Sequence, residues 1–293
     1  MATRRTRNSL RHGLLSTVAC TLLGGPVGGT CFASDGSVQA AISPSVPGRA
    51  AAALHETLDA EWEWRLAQFP ERATGDGDHR FDDRLTDRSA PAIALRREHH
   101  KQFLAAVRAI DRTALQGEDR LSWDIFSYFA AQAVRQDELL LSMSPHSLAP
   151  WSADDSPFQV NPMQGPQFEL PELVRSTRFR VDDDYRHYLS RLRAIPGSLK
   201  QLQALLEAGR AARLTPAHDA LARLPDQFAS LADATLAGNP LFAPFASFPA
   251  EIPADQRAQL TQAATQILRD AVVPAVRDAM LCASSSWQSL RSR

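Results

Sequence analysis

VDDDYRHYLSRLRAIP, residues 181–196, decides the fold class of this chain. Three carboxylates open it, Asp182, Asp183 and Asp184, where first-turn amides and the positive end of a helix dipole favour negative charge. Tyr185, Tyr188, Leu189, Leu192 and Ile195 follow at steps of three and four, which places them on one side of a helix. Pro196 lacks the amide that a helix interior needs, so the sequence predicts a stop there. A separate helix is expected over GSLKQLQALLEAGR, residues 197–210.

The same period recurs on both sides of this stretch. In RAAAALHETLDAEWEWRLAQFP (49–70), Leu54, Leu58, Trp62 and Leu66 form a predicted buried stripe that ends at Pro70. A polar loop follows over 71–91. The next helix is expected from about Ala90 to Leu115, with Leu95, Phe103, Val107 and Ile110 inward. QGEDRLSWDIFSYFAAQAVRQDELLLS (116–142) reads as another helix, with a Leu121, Ile125 and Phe129 stripe. Residues 143–167, rich in Pro and Ser, read as a long ordered loop, and loops of that length usually serve a purpose. Thr215–Pro216 opens a predicted helix reaching Leu236, and a last helix runs from about Pro253 to Met280. No alternating strand pattern appears, so the fold class is all-α, a multi-helix bundle-like array. Alanine and leucine dominate the apolar residues, which agrees with helix over strand.

The amino terminus has a different character. Arg4, Arg5, Arg7 and Arg11 precede the apolar GLLSTVACTLLGGPVGG, and Cys31 and Ala33 place small residues ahead of a cleavage after Ala33. Residues 1–33 are therefore expected to be a cleaved secretory signal and 34–47 a linker, with a periplasmic or secreted product. The apolar run is too short and too rich in glycine to span a bilayer stably. Cys20 is the less favoured lipid-anchoring position, because Thr17 stands where such sites carry leucine. The formal net charge of −1 includes the four leader arginines, so the remainder is acidic and lacks the basic footprint of a nucleic-acid binder. Cys20 and Cys31 lie in the leader, and Cys282 alone can form neither an internal disulfide nor a cysteine-based zinc site.

HETLD places His55 and Glu56 as in a zinc helix, but Asp59 stands where the second histidine belongs, so a solvated helix surface is expected. His99 and His100 are consecutive and diverge by about 100° on a helix, which argues against chelation of one ion. Capping accounts for Asp182, Asp183 and Asp184, and His146, His187 and His218 stand alone. No nucleophile elbow, phosphate loop or dinucleotide fingerprint is present. The residues name no catalytic, cofactor-binding or metal site.

An ordered set of stretches carries a resemblance. FDDRLTDRSAP (81–91), DRLSWDIFSYF (119–129), NPMQGPQFELPELV (161–174), residues 182–216, NPLFAPF (239–245) and AVVPAV (271–276) resemble, in that order, the N-terminal half of the bacterial domain of unknown function 885 family. Val276 stands where the family usually has an aromatic. The resemblance implies an all-helical, zinc-peptidase-like protein about twice this length, with an H-E-x-x-P-G-H metal segment in its C-terminal half. No metal-binding residue transfers to a position here, so no cofactor is expected in this chain, and zinc only with that other half. Residues 48–281 are expected to be the family-like helical domain and 282–293 an aberrant Ser- and Arg-rich tail, as after an early stop. The implied partners are a separately encoded C-terminal half, as in a split metallopeptidase, or a second copy bound through exposed apolar helix faces. A third expectation is a helical ligand-binding module that uses residues 143–167.

Overall fold

The computed structural model describes residues 46–143, 160–213 and 224–288, all within one compact unit, Pro44–Arg293. The predicted signal, most of the linker, His146, His218 and the centre of the Pro/Ser-rich loop lie outside the described residues, as does the side chain of Cys282. Helices α1 (Val46–Gln68), α2 (Pro70–Gly75), α3 (Ala90–Ala109) and α4 (Gly117–Met143) come first. Then follow α5 (Pro166–Ser176), α6 (Asp182–Ala211), α7 (Leu224–Phe228), α8 (Ala254–Ile267) and α9 (Val273–Gln288). Short 3-10 turns at Arg112–Ala114 and Pro240–Phe245 join elements, and a π-helical turn, Leu268–Val272, links α8 to α9. Among the described residues there is no strand, only an isolated bridge between Asn161 and Gln164.

Helix α6 is the axis of the larger core. Tyr185, Tyr188, Leu189, Leu192 and Ile195 are all buried, as their spacing predicts. The predicted stop at Pro196 does not occur. Helix α6 passes through Pro196 because the buried face continues in phase as Leu199, Leu202 and Leu205. The apolar burial gained by staying helical outweighs one missing hydrogen bond. At its start, the Asp184 carboxylate accepts from the amides of Arg180 (2.7 Å) and Val181 (3.2 Å). Asp182 pairs with Arg186 one turn on. Asp184 thus acts as the helix-start group, and Asp182 as an ion-pair partner within the helix.

α6 packs against α8, the π-turn and α9. The Tyr188 hydroxyl crosses the core to donate to the Leu241 carbonyl at 3.0 Å, and burial pushes its pKa well above the ordinary tyrosine value. The helix predicted to reach Leu236 gives way to turns after Phe228. There the Asp233 carboxylate takes the amide and hydroxyl of Thr235, a local bond that competes with a helix. Conversely, α9 continues past Met280 to Gln288.

Several other expectations are corrected. Pro70 does end α1, but it also starts α2 from its first turn, where a missing amide costs nothing. α3 ends at Ala109 rather than near Leu115. Leu54 and Leu66 of α1 are buried, yet Trp62 is exposed. In α3, Val107 is buried, as is Ile110 just after the helix, and Phe103 is half-buried, but Leu95 is exposed. The α4 stripe of Leu121, Ile125 and Phe129 faces solvent, together with Tyr128. α4 instead turns Trp123, Ala130 and Asp137 toward α3 and α1. The Trp123 indole donates to the Val107 carbonyl at 2.8 Å.

Candidate functional site

Two features of this array have the make-up of a site: a polar cavity among α1, α3 and α4, and the apolar outer side of α4.

The cavity is built around the consecutive histidines of α3. Their divergence, which argues against chelation, lets one helix reach two neighbours. His99 Nε2 donates to the buried Glu61 carboxylate of α1 at 2.6 Å, while the Trp64 ring stacks on it with centroids 3.5 Å apart. His100 Nδ1 donates to the buried Asp137 carboxylate of α4 at 3.0 Å. Because a carboxylate only accepts, each imidazole presents an N–H there. The space beside His100 measures about 490 Å³ including its open mouth and is walled by Trp64, Phe69 and Gln136. Arg96, buried in α3, lies over the Phe69 ring at 5.5 Å and donates to the Asp87 carbonyl.

A carboxylate-oriented imidazole is the arrangement that prepares a histidine as a base. Here Glu61 of the first pair lines the same cavity as His100 and Asp137. No group of three or more His, Cys, Asp or Glu suited to one ion occurs among the described residues. Each pair ties two helices together. The other sequence candidates fall apart: Glu56, Asp59, Asp183 and His187 are exposed, and His55 pairs with Asp119 of α4 at 2.8 Å. The sequence reading did not anticipate Glu61, Asp137 or Arg191. A periodic signal for Arg191 exists: it lies three residues after Tyr188 and four before Ile195, on the buried side of α6.

Arg191 organises the polar stretch between α2 and α3. Its guanidinium donates to the Arg84 carbonyl (2.9 Å), the Thr74 hydroxyl (2.7 Å) and the Pro70 carbonyl (3.2 Å), and lies 3.5 Å from Asp82. Burial lowers its pKa, opposed by the Asp82, Glu71 and Asp83 carboxylates. Thr86 is held by its amide and hydroxyl on Glu71, and Gln201 of α6 binds both the Arg88 amide and Asp87. The loop is a fixed part of the core rather than a free lid.

The outer side of α4 is the second feature. Phe129 is 64% exposed, Tyr128 60% and Leu121 58%, with Ile125 beside them. Isolated exposed apolar residues are ordinary, but a contiguous stripe on one helix marks an interaction surface.

The model of the family described as a bacterial protein of unknown function (DUF885) matches residues 70–283, and the chain belongs to that family. Its fold is similar to the crystal structure of a candidate lipoprotein from Colwellia psychrerythraea, with a TM-score of 0.61 at 15% identity. The match covers 83% of this chain and 42% of that one, so this chain spans less than half of the solved relative. Among curated proteins none matches the sequence. Among the described residues no helix is long and apolar enough to cross a membrane.

Proposed function

We propose that this chain is the exported, non-catalytic helical part of a zinc-peptidase-like protein, whose metal-bearing part is a different stretch of polypeptide. The observation that carries this reading is one of proportion. Most of this chain superposes on under half of a longer helical relative, and the larger part of that relative has no counterpart here. The basic and apolar leader and its small residues before Ser34 support export, as does the description of the relative as a candidate lipoprotein.

On this reading the chain supplies a rigid helical wall. Arg191 and the two His–carboxylate pairs hold its helices in place, and chemistry belongs to the complete assembly. The test is metal content and peptide hydrolysis by the purified chain. The expected result is no stoichiometric zinc and no turnover above background. Tightly bound zinc together with hydrolysis would overturn the reading.

A further inference from the structure

From the outer side of α4 we infer a two-fold interface between two copies of this chain. Their α4 helices run antiparallel, with Glu118 of each copy against Arg135 of the other. The inference goes beyond the reading above and does not rest on it.

Spacing and exposure define the seam together. Glu118, Leu121, Ile125, Tyr128, Gln132 and Arg135 follow one another at alternating steps of three and four. That alternation keeps one side of a helix facing one partner helix at a shallow crossing angle. Five of the six residues are exposed, and Gln132 is half-buried. With 3.6 residues per turn, the seam lies across the helix axis from Trp123, Ala130 and Asp137. Those three face the rest of the chain, through bonds to Val107 and His100 of α3. The inward packing of α4 therefore leaves the seam open.

The order of chemistry along the seam names the occupant. It begins with a carboxylate, runs through Leu121, Ile125 and Tyr128, and ends with a guanidinium. A complementary helix carries a base beside Glu118, apolar side chains at its centre and an acid beside Arg135. α4 turned end for end carries that series. In this register Glu118 meets Arg135 of the second copy, Leu121 meets its Gln132, and Ile125 meets its Tyr128. The two-fold axis makes each contact twice. A parallel copy would set Glu118 on Glu118 and Arg135 on Arg135, like charges at both ends. Opposite charges at the ends, with apolar side chains between, make the potentials complementary and fix the register. The overlap runs the length of the seam, about 26 Å at 1.5 Å per residue. A single helix pair of that length lies at the small end of stable interfaces, so the dimer is expected to be reversible.

Sedimentation of the full 293-residue chain across about 1–100 µM tests the inference. A monomer–dimer equilibrium is expected over that range. Ile125→Glu, at the apolar centre, should raise Kd at least about tenfold. Leu95→Glu, at an exposed α3 position, should leave it unchanged. Charge reversal separates this register from any other self-association. Glu118→Arg and Arg135→Glu each bring like charges together at both ends and should each weaken the dimer about tenfold. Mixed in equal amounts, the two variants again oppose unlike charges at both ends, so a heterodimer should form as tightly as the parent dimer. That recovery also shows that both variants are folded. A chain that stays monomeric at about 100 µM overturns the inference and leaves the seam to a different partner. A dimer that Ile125→Glu does not weaken overturns it too, as do reversed variants that fail to associate on mixing.

Discussion

Arg191 of α6 donates to the Thr74 hydroxyl at 2.7 Å from a fully buried position, across 117 residues of sequence. Thr74 passes the contact on to the Asp82 carboxylate at 2.6 Å, so one guanidinium fixes the end of α2 and the loop after it. Arg191→Ala leaves Asp82 and three backbone carbonyls, those of Pro70, Phe81 and Arg84, without that donor. We expect a loss of about 3 kcal/mol, the scale of breaking a buried charged network from one side. Urea unfolding monitored by circular dichroism reads it, and a loss below about 1 kcal/mol would contradict the assignment.

Tyr188→Phe isolates a single neutral bond. The ring stays among Phe179 and Phe245, but the Leu241 carbonyl loses its hydroxyl donor. The expected cost is about 1–2 kcal/mol, with an unchanged denaturant slope. A variant as stable as the parent would mean that another donor replaces the hydroxyl.

The His100–Asp137 bond joins α3 to α4, and a double-mutant cycle measures it. His100→Ala and Asp137→Ala are each expected to destabilise, and the pair together by less than the sum. A coupling of at least about 0.5 kcal/mol is expected for residues in direct contact. Strict additivity would show that the bond contributes nothing to joining the helices.

Arg112 and Asp124 give a pH-dependent signature. Hydrogen bonding from Arg112 holds the Asp124 carboxyl below its ordinary value. A lowered folded-state pKa contributes stability that is present above the unfolded value, near 3.9, and is lost as pH falls through the lower folded value. Asp124→Asn is therefore expected to be less stable than the parent at pH 7, with the gap closing as pH falls below about 3.9 and through the lowered folded value. Thermal melts across that range decide the matter, and a gap that persists in acid would refute the linkage.

Phe129→Glu tests whether α4 is open in the chain alone. An exposed substitution shifts stability by no more than about 0.5 kcal/mol, whereas Leu192→Glu, at a fully buried position, is expected to abolish cooperative unfolding. Severe destabilisation by Phe129→Glu would mean that the stripe is already covered.

These residues also show what the sequence discloses. The face of α6 is legible because Tyr185, Tyr188, Leu192 and Ile195 keep their period, and the same period continued past Pro196 where a local rule predicted a stop. Periodicity at Leu121, Ile125 and Phe129 is equally clear, but a period says which residues share a face and not whether anything lies against it. α4 shows the difference, with Trp123, Ala130 and Asp137 inward instead. Glu61 and Asp137 were illegible for another reason. Their partners, His99 and His100, lie 38 and 37 residues away, and nothing local marks a carboxylate as buried.

The π-turn at Leu268–Val272 has a consequence for the last long helix. Leu260, Ala264, Leu268, Val272 and Val276 are buried at a strict step of four. On a regular α-helix each such step drifts by about 40°, so the fifth residue would point far from the first. One widened turn takes that drift back out, since a π-turn advances less per residue. It works as a phase correction, steering α8 and α9 back onto α6 after the side chains have begun to rotate away.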